Sequence, residues 1–308
     1  MQLKFTLAVV IAVLAAVSFG YVSFLGKNFS TLGDTQESIV YAVIIAVVLF
    51  GTTFTAKLLK GTNRNFKISL FFEVLVLIAF LAFTFLFALK PFSHFIEVTK
   101  NKDDIQNIIN QSISQAENMF QNYEQYADKR KTKLEDNLKS VVINRETDPQ
   151  QYANFGFGLG VSEHKLIQQR VTTMDIDLFP SNYSDQAYNN GIKEVATNWL
   201  GDARSKINNW KPIGVVNVVT EIEKNSIDWY NKLVGFSNIS HQGEPILEPF
   251  NYDLEFHNVT SHFSQPKDPS YISIAFAAMA SMFILLPWLI TKRGSKRFGG
   301  IANYEIKL

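Results

Sequence analysis

Hydrophobic residues along the chain gather into four near-continuous blocks, at about 5–25, 39–56, 68–89 and 271–290. Wound as a helix at 1.5 Å per residue, each block covers the roughly 30 Å hydrocarbon core of a bilayer. Backbone amides in lipid have no water to bond, so blocks of this kind are helices rather than strands. The pattern predicts an α-helical membrane protein with four transmembrane helices. Between the third and fourth blocks the hydropathy falls, and residues 91–270 read as one large inserted external domain, mainly α with some β.

The insertion opens with a change of period. Lys90-Pro91 closes the third block, and Asn101 then stands as the N-cap of a polar helix whose Asp103 and Asp104 favour the positive end of its dipole. From there Ile109, Ile113, Ala116, Phe120, Tyr123, Ala127, Leu134, Leu138 and Val141 recur three or four apart, interrupted once by Arg130. A helix over 101–143 would be about 60 Å long at 1.5 Å per residue and would project from the membrane. Its seam suits either a helix packed on its own domain or a coiled coil between subunits.

Asp148-Pro149 ends the helix, and Phe155-Gly156-Phe157-Gly158-Leu159-Gly160 follows. Its glycine spacing is not that of a phosphate loop, and a flexible loop or close backbone contact is expected. The stretch 165–179 reads as extended through Val171, Thr172, Thr173, Ile176 and Leu178. One helix is expected from Ser184-Asp185 through Ala187, Tyr188 and Ile192 to Trp210. A second runs from Pro212 to a cap at Gly235. Phe250, Tyr252, Leu254 and Phe256 alternate with Asn251, Asp253, Glu255 and His257, the signature of a half-buried strand paired with the earlier extended segment.

Charge orients the spans. Lys57, Lys60, Arg64 and Lys67 fill the second loop, and Lys292, Arg293, Lys296, Arg297 and Lys307 follow the fourth block against Glu305 alone. Loop 26–38 balances Lys27 with Asp34 and Glu37. The positive-inside rule then predicts both termini in the cytoplasm and residues 91–270 outside. With Lys4 also cytoplasmic, 19 of the 29 basic residues and 26 of the 28 acidic ones fall on the external side, a surface on which nucleic acid is not an expected partner. The chain has no cysteine, so packing rather than disulfides must hold the domain, which fits a bacterial inner-membrane protein with a periplasmic insertion. The first block is read as an uncleaved anchor.

Candidate chemistry is sparse. Glu73 is the single acid within a spanning block, and an ionisable residue there is either a proton or ion site or an interfacial partner of Lys67. Two stripes of small residues, Ala8, Ala12 and Ala16 and then Ser273, Ala277 and Ser281, permit close helix packing in lipid. His94, His164, His241, His257 and His262 lack metal-ligand spacing, so no metal or cofactor is expected. Besides the lipid bilayer, other membrane or periplasmic proteins are the expected partners, in a homo- or hetero-oligomer. The expected role is a non-enzymatic inner-membrane subunit of an envelope-spanning assembly, such as a secretion or motor-like machine. The alternatives are an external ligand sensor acting through a partner and an oligomeric channel or transporter.

Overall fold

A computed structural model describes residues 7–62, 66–185, 187–188, 190–244, 246, 248–256, 259–265 and 267–293. Lys4, Arg64, His257, Lys296, Arg297, Glu305 and Lys307, all used in the reading above, lie outside the described residues. The chain divides into two compact units, residues 1–105 with 258–308, and residues 106–257.

The first unit is the membrane unit. It holds α1 (Leu7–Ser30), α2 (Thr35–Lys60), α3 (Phe66–Phe83), a π-helical turn (Thr84–Ala88) and α4 (Leu89–Lys100). After the second unit come α10 (Thr260–Ser264) and α11 (Tyr271–Ile290). Four helices are long and apolar enough to cross a membrane: Leu7–Ser30, Thr35–Lys60, the continuous Lys67–Lys100 and Tyr271–Ile290. α1 lies at the centre, against α2, α4 and α11. Its core gathers Ala16, Phe19, Ile45, Leu49, Phe80, Phe92, Ala277 and Ile284, and Phe19 stacks on Phe92 with centroids 4.4 Å apart. Outward-facing residues such as Leu14, Val43, Phe71 and Ile78 are exposed, as lipid-facing positions are.

The third span does not stop at Pro91. Its helix runs through the proline to Lys100, and the π-helical turn just before it absorbs the disruption. Proline has no N–H to give the carbonyl four residues back, which here belongs to Phe87. That carbonyl instead accepts from the Tyr41 hydroxyl of α2 at 3.0 Å. The proline therefore remains in the helix because a neighbouring helix satisfies the group it frees. Asn101 is the C-cap of α4, with its side-chain amide donating back to the Glu97 carbonyl at 2.8 Å, and it also stands immediately before α5, where its own carbonyl accepts from the Ile105 N–H at 3.1 Å.

The second unit is built on α5 (Lys102–Ile143). Also in it are α6 (Pro149–Asn154), α7 (Glu163–Leu178), α8 (Ile192–Asn208) and α9 (Pro212–Ser237). Along α5, Ile109, Ile113, Phe120, Tyr123, Leu134 and Leu138 are all buried within this one chain. Near its start Gln106 donates to the Ile207 carbonyl at the end of α8, and Phe120 packs on Trp229 of α9. Farther along, Leu134, Leu138 and Val141 share a core with Ile167, Met174 and Leu178 of α7.

Among the described residues this unit contains no β-strand, which corrects two expectations. The stretch 165–179 is helical because Ile167, Val171, Met174 and Leu178 recur four, three and four apart. Burial of that face against α5 outweighs the β preference of Val171-Thr172-Thr173. With its expected partner helical, 250–256 has no ladder to join; Phe250 is buried and its N–H donates to the Ser237 hydroxyl at 3.0 Å. The helix expected from Ser184 begins later, at Ile192, leaving Tyr188 in a turn and 81% exposed.

Candidate functional site

Glu73 lies in α3 and is 1% exposed. One carboxylate oxygen accepts from the Trp288 indole N–H at 2.9 Å and from the Arg293 guanidinium at 3.0 Å. The ion pair expected with Lys67 is made with Arg293 instead, across the end of α11. Lys60 reinforces the same corner: its ammonium donates to the Trp288 carbonyl at 2.8 Å and stands 4.5 Å above the indole ring. A cation at a helix C-terminus opposes the negative end of the dipole, and a cation over indole adds to it. Glu73, Lys60, Trp288 and Arg293 thus join the ends of α2, α3 and α11 at the basic end of the bundle. Replacing Glu73 with alanine removes the acceptor shared by Trp288 and Arg293, and thermal denaturation of the detergent-solubilised full chain should show a loss of about 1–3 kcal/mol. Glu73→Gln keeps a side-chain oxygen for the indole and should lose less than half as much. An equal loss in the two variants would mean that charge alone matters.

The six small residues of the two stripes are all buried: Ala8, Ala12 and Ala16 on α1, and Ser273, Ala277 and Ser281 on α11. Ala16 and Ala277 belong to one core, so these faces serve packing between helices of the same chain. Two glycines on α1 continue that use. A Cβ on Gly20 would lie 3.0 Å from the Ala42 carbonyl oxygen, and one on Gly26 would lie 1.8 Å from that of Pro91. Backbone meets backbone there, an approach open only to glycine.

In the second unit the interruption of the seam is its most heavily bonded residue. Arg130 is 5% exposed and forms a buried ion pair with Glu244, itself almost fully buried. Its remaining donors reach the Ser237 and Ile239 carbonyls and the Tyr126 hydroxyl. Glu244 also accepts from the His241 backbone N–H at 3.3 Å, while the His241 ring bonds Asp177 at 3.0 Å. One arginine on α5 therefore clamps the segment after α9 onto the domain. Beside it is a pocket of about 270 Å³ whose lining mixes Asn122, Gln125, Lys129, Lys133 and Asn251 with Tyr126, Ile246 and Phe250. The role of Arg130 was not legible from the sequence, because its partner Glu244 is 114 residues away.

The far end of α5 presents apolar surface. Ile143 is 79% exposed, Leu159 81% and Val161 44%. The glycine run that carries Leu159 is ordered by three left-handed residues, Gly156, Gly158 and Gly160, with φ of 74°, 86° and 87°. Phe157 between them turns inward and stacks on Tyr152, while Arg170 bonds the Phe155 carbonyl from below. Alternation of glycine with apolar residues thus buries Phe157 and displays Leu159. Next to this tip a groove of about 590 Å³ between α5 and α7 has Val142, Ile143, Ile167 and Val171 among its lining, with Glu135, Lys139 and His164.

Among the described residues no group of three or more His, Asp or Glu side chains is placed to hold a metal ion. Comparison of the chain with protein-family models, curated proteins and solved structures gives no match.

Proposed function

We propose that the chain is a non-enzymatic subunit of a multi-protein assembly in a bacterial inner membrane, holding residues 106–257 in the periplasm as a contact domain. The observation that carries this reading is exposed apolar surface at this part of the second unit, where Ile143 lines the α5–α7 groove and Leu159 and Val161 stand exposed on the segment that leads into α7. Exposed apolar side chains and an open groove on a helical domain are how protein–protein contacts present themselves. Burial of the α5 seam within one chain supports the same assignment, because it leaves the tip rather than the seam for a partner. The clustering of Lys57, Lys60, Lys67, Lys292 and Arg293 around the ends of α2, α3 and α11 supports a cytoplasmic position for that end.

Leu159→Asp combined with Ile143→Asp places two charges on the tip without touching the buried core. Purified in mild detergent from its own cells, the wild-type chain should bring partner proteins with it, and the double variant should lose them by tenfold or more, a change of about 1.4 kcal/mol. Retention of the same partners at the same yield would remove the tip from the account.

A second reading, a sensor for a small external ligand, is favoured by the pocket beside Arg130, where Lys129, Lys133, Asn122 and Asn251 stand with Ile246 and Phe250. Such a ligand would raise the melting temperature of the full chain, the stabilisation growing with the logarithm of its concentration over Kd. The tip variant would leave that shift intact.

A further inference from the structure

Within the membrane unit the C-terminal ends of α2 and α11 meet. Lys60 donates to the Trp288 carbonyl at 2.8 Å, and a Cβ on Gly61 would lie 3.9 Å from the Thr291 methyl group. Lys57 stands three residues before Lys60, on the same side of α2, and Lys292 directly follows Thr291. Three ammonium groups are thereby gathered at one corner. Lys60 is committed to the end of α11, whereas Lys57 and Lys292 have no carboxylate partner among the described residues. The one carboxylate described at this end, Glu73, is buried and already shared by Trp288 and Arg293. At the other end of α2 the balance differs, with Lys27 paired to Glu37 at 2.8 Å and Asp34 capping the helix.

The depth of these lysines identifies what surrounds them. Exposed Leu58 on α2 and exposed Leu289 and Ile290 on α11 are the last apolar residues of their spans. Trp288 stands at the same level, the usual place of tryptophan at a membrane–water interface. Lys57 carries its ammonium 5.6 Å from the centre of the Phe54 ring, so its stem lies along apolar surface and its charge reaches the interface. At that depth the neighbouring groups are lipid headgroup phosphates, which accept hydrogen bonds from ammonium groups. A zwitterionic headgroup offsets its phosphate with an ammonium of its own, whereas an anionic one does not, so lysines left unbalanced by the protein select the anionic lipid. We propose that the corner between the ends of α2 and α11 binds the headgroup of an anionic phospholipid, with Lys57 and Lys292 as the donors and Lys60 holding the two helix ends together. The site belongs to this end of the bundle, whichever face of the membrane that end occupies.

The test uses native mass spectrometry of the full chain in a mild detergent, with equal amounts of phosphatidylglycerol and phosphatidylethanolamine added. A lysine beside an anionic headgroup is worth about 1 kcal/mol, or about fivefold in binding. The first lipid bound to the wild-type chain should therefore be phosphatidylglycerol by about tenfold or more. Lys57→Gln with Lys292→Gln should bring that preference close to unity. Lys90→Gln with Lys100→Gln removes the same charge from exposed positions at the other end of the third span and should leave the preference in place. Glycerol phosphate in hundredfold excess should not displace the lipid; displacement would assign the corner to a free phosphate and overturn the lipid site. Equal binding of the two lipids by the wild-type chain would overturn it as well. So would a preference that survives the Lys57 and Lys292 substitutions, or one that the Lys90 and Lys100 pair lowers equally, since net charge alone would then explain it. The wild-type ratio decides the matter even if a variant does not fold.

Discussion

Gly26→Ala should abolish the folded membrane unit. A single methyl group at this position would stand 1.8 Å from the carbonyl oxygen of Pro91, 2.7 Å from its carbon and 3.1 Å from the Phe95 nitrogen. All three are backbone atoms, so no rotamer change relieves the overlap; α1 and α4 must separate along their length. The contacts at risk include the Phe19–Phe92 stack and the packing of Phe29 on Phe95 and Phe263. Overpacking of a side-chain core costs about 1–3 kcal/mol, and a clash between two backbones lies at or above the top of that range. Membrane yield and gel-filtration behaviour of the detergent-solubilised chain measure the outcome. Gly51 supplies the control, since a Cβ there meets nothing within 4 Å. Gly51→Ala should express and elute as the wild type does, and equal failure of both variants would point to helix flexibility rather than to the α1–α4 contact.

Arg130→Ala should have the next largest effect, on the second unit. It strands Glu244 as a buried carboxylate, and removing one member of a buried pair costs about 3–5 kcal/mol. For a domain of this size that lowers the melting temperature by roughly 10 °C. Glu244→Ala should do comparable damage by stranding the guanidinium. Replacing both together, Arg130→Met with Glu244→Leu, should recover part of the loss, because an apolar pair of similar volume often does as well as a buried ion pair. Recovery stays incomplete, since the Ser237 and Ile239 carbonyls lose their donor. Hydrogen exchange locates the change: amides in 237–250 should lose protection first, whereas those of α8 and α9 should keep it until the unit melts. Uniform loss across the unit would show that Arg130 supports the whole core and not the segment it clamps.

What could be read in advance follows from how local the governing interactions are. The four spans and the start of α9 at Pro212 rest on runs of residues that decide their own state, and the α5 seam announces its burial through its period. The continuation through Pro91 rests on a hydroxyl from Tyr41, 46 residues away, to the Phe87 carbonyl, and nothing near the proline signals it. The expected strand over 165–179 fails for a related reason. Its β-branched residues suggest alternation, but Ile167, Val171, Met174 and Leu178 share a helical face, and α5 supplies the surface that rewards it. Glu73 was legible as an exception within an apolar block, but its pairing with Arg293 spans 220 residues. Arg130 was visible only as a fault in a seam. The tip was half legible: the glycines of 155–160 marked a special backbone, while the exposure of Leu159 required the left-handed turns to be seen.

The sidedness of the membrane is the claim on which the rest depends, and the absence of cysteine from the chain makes it directly measurable. Single cysteines introduced by Leu159→Cys, Tyr188→Cys, Gly61→Cys and Lys292→Cys, each at an exposed position, can be tested with a membrane-impermeant maleimide in cells whose outer membrane has been made permeable. The account predicts labelling at positions 159 and 188 while the inner membrane is intact, and at 61 and 292 only after it is opened. Labelling of 61 or 292 with the inner membrane intact, or protection of 159 and 188, would contradict it.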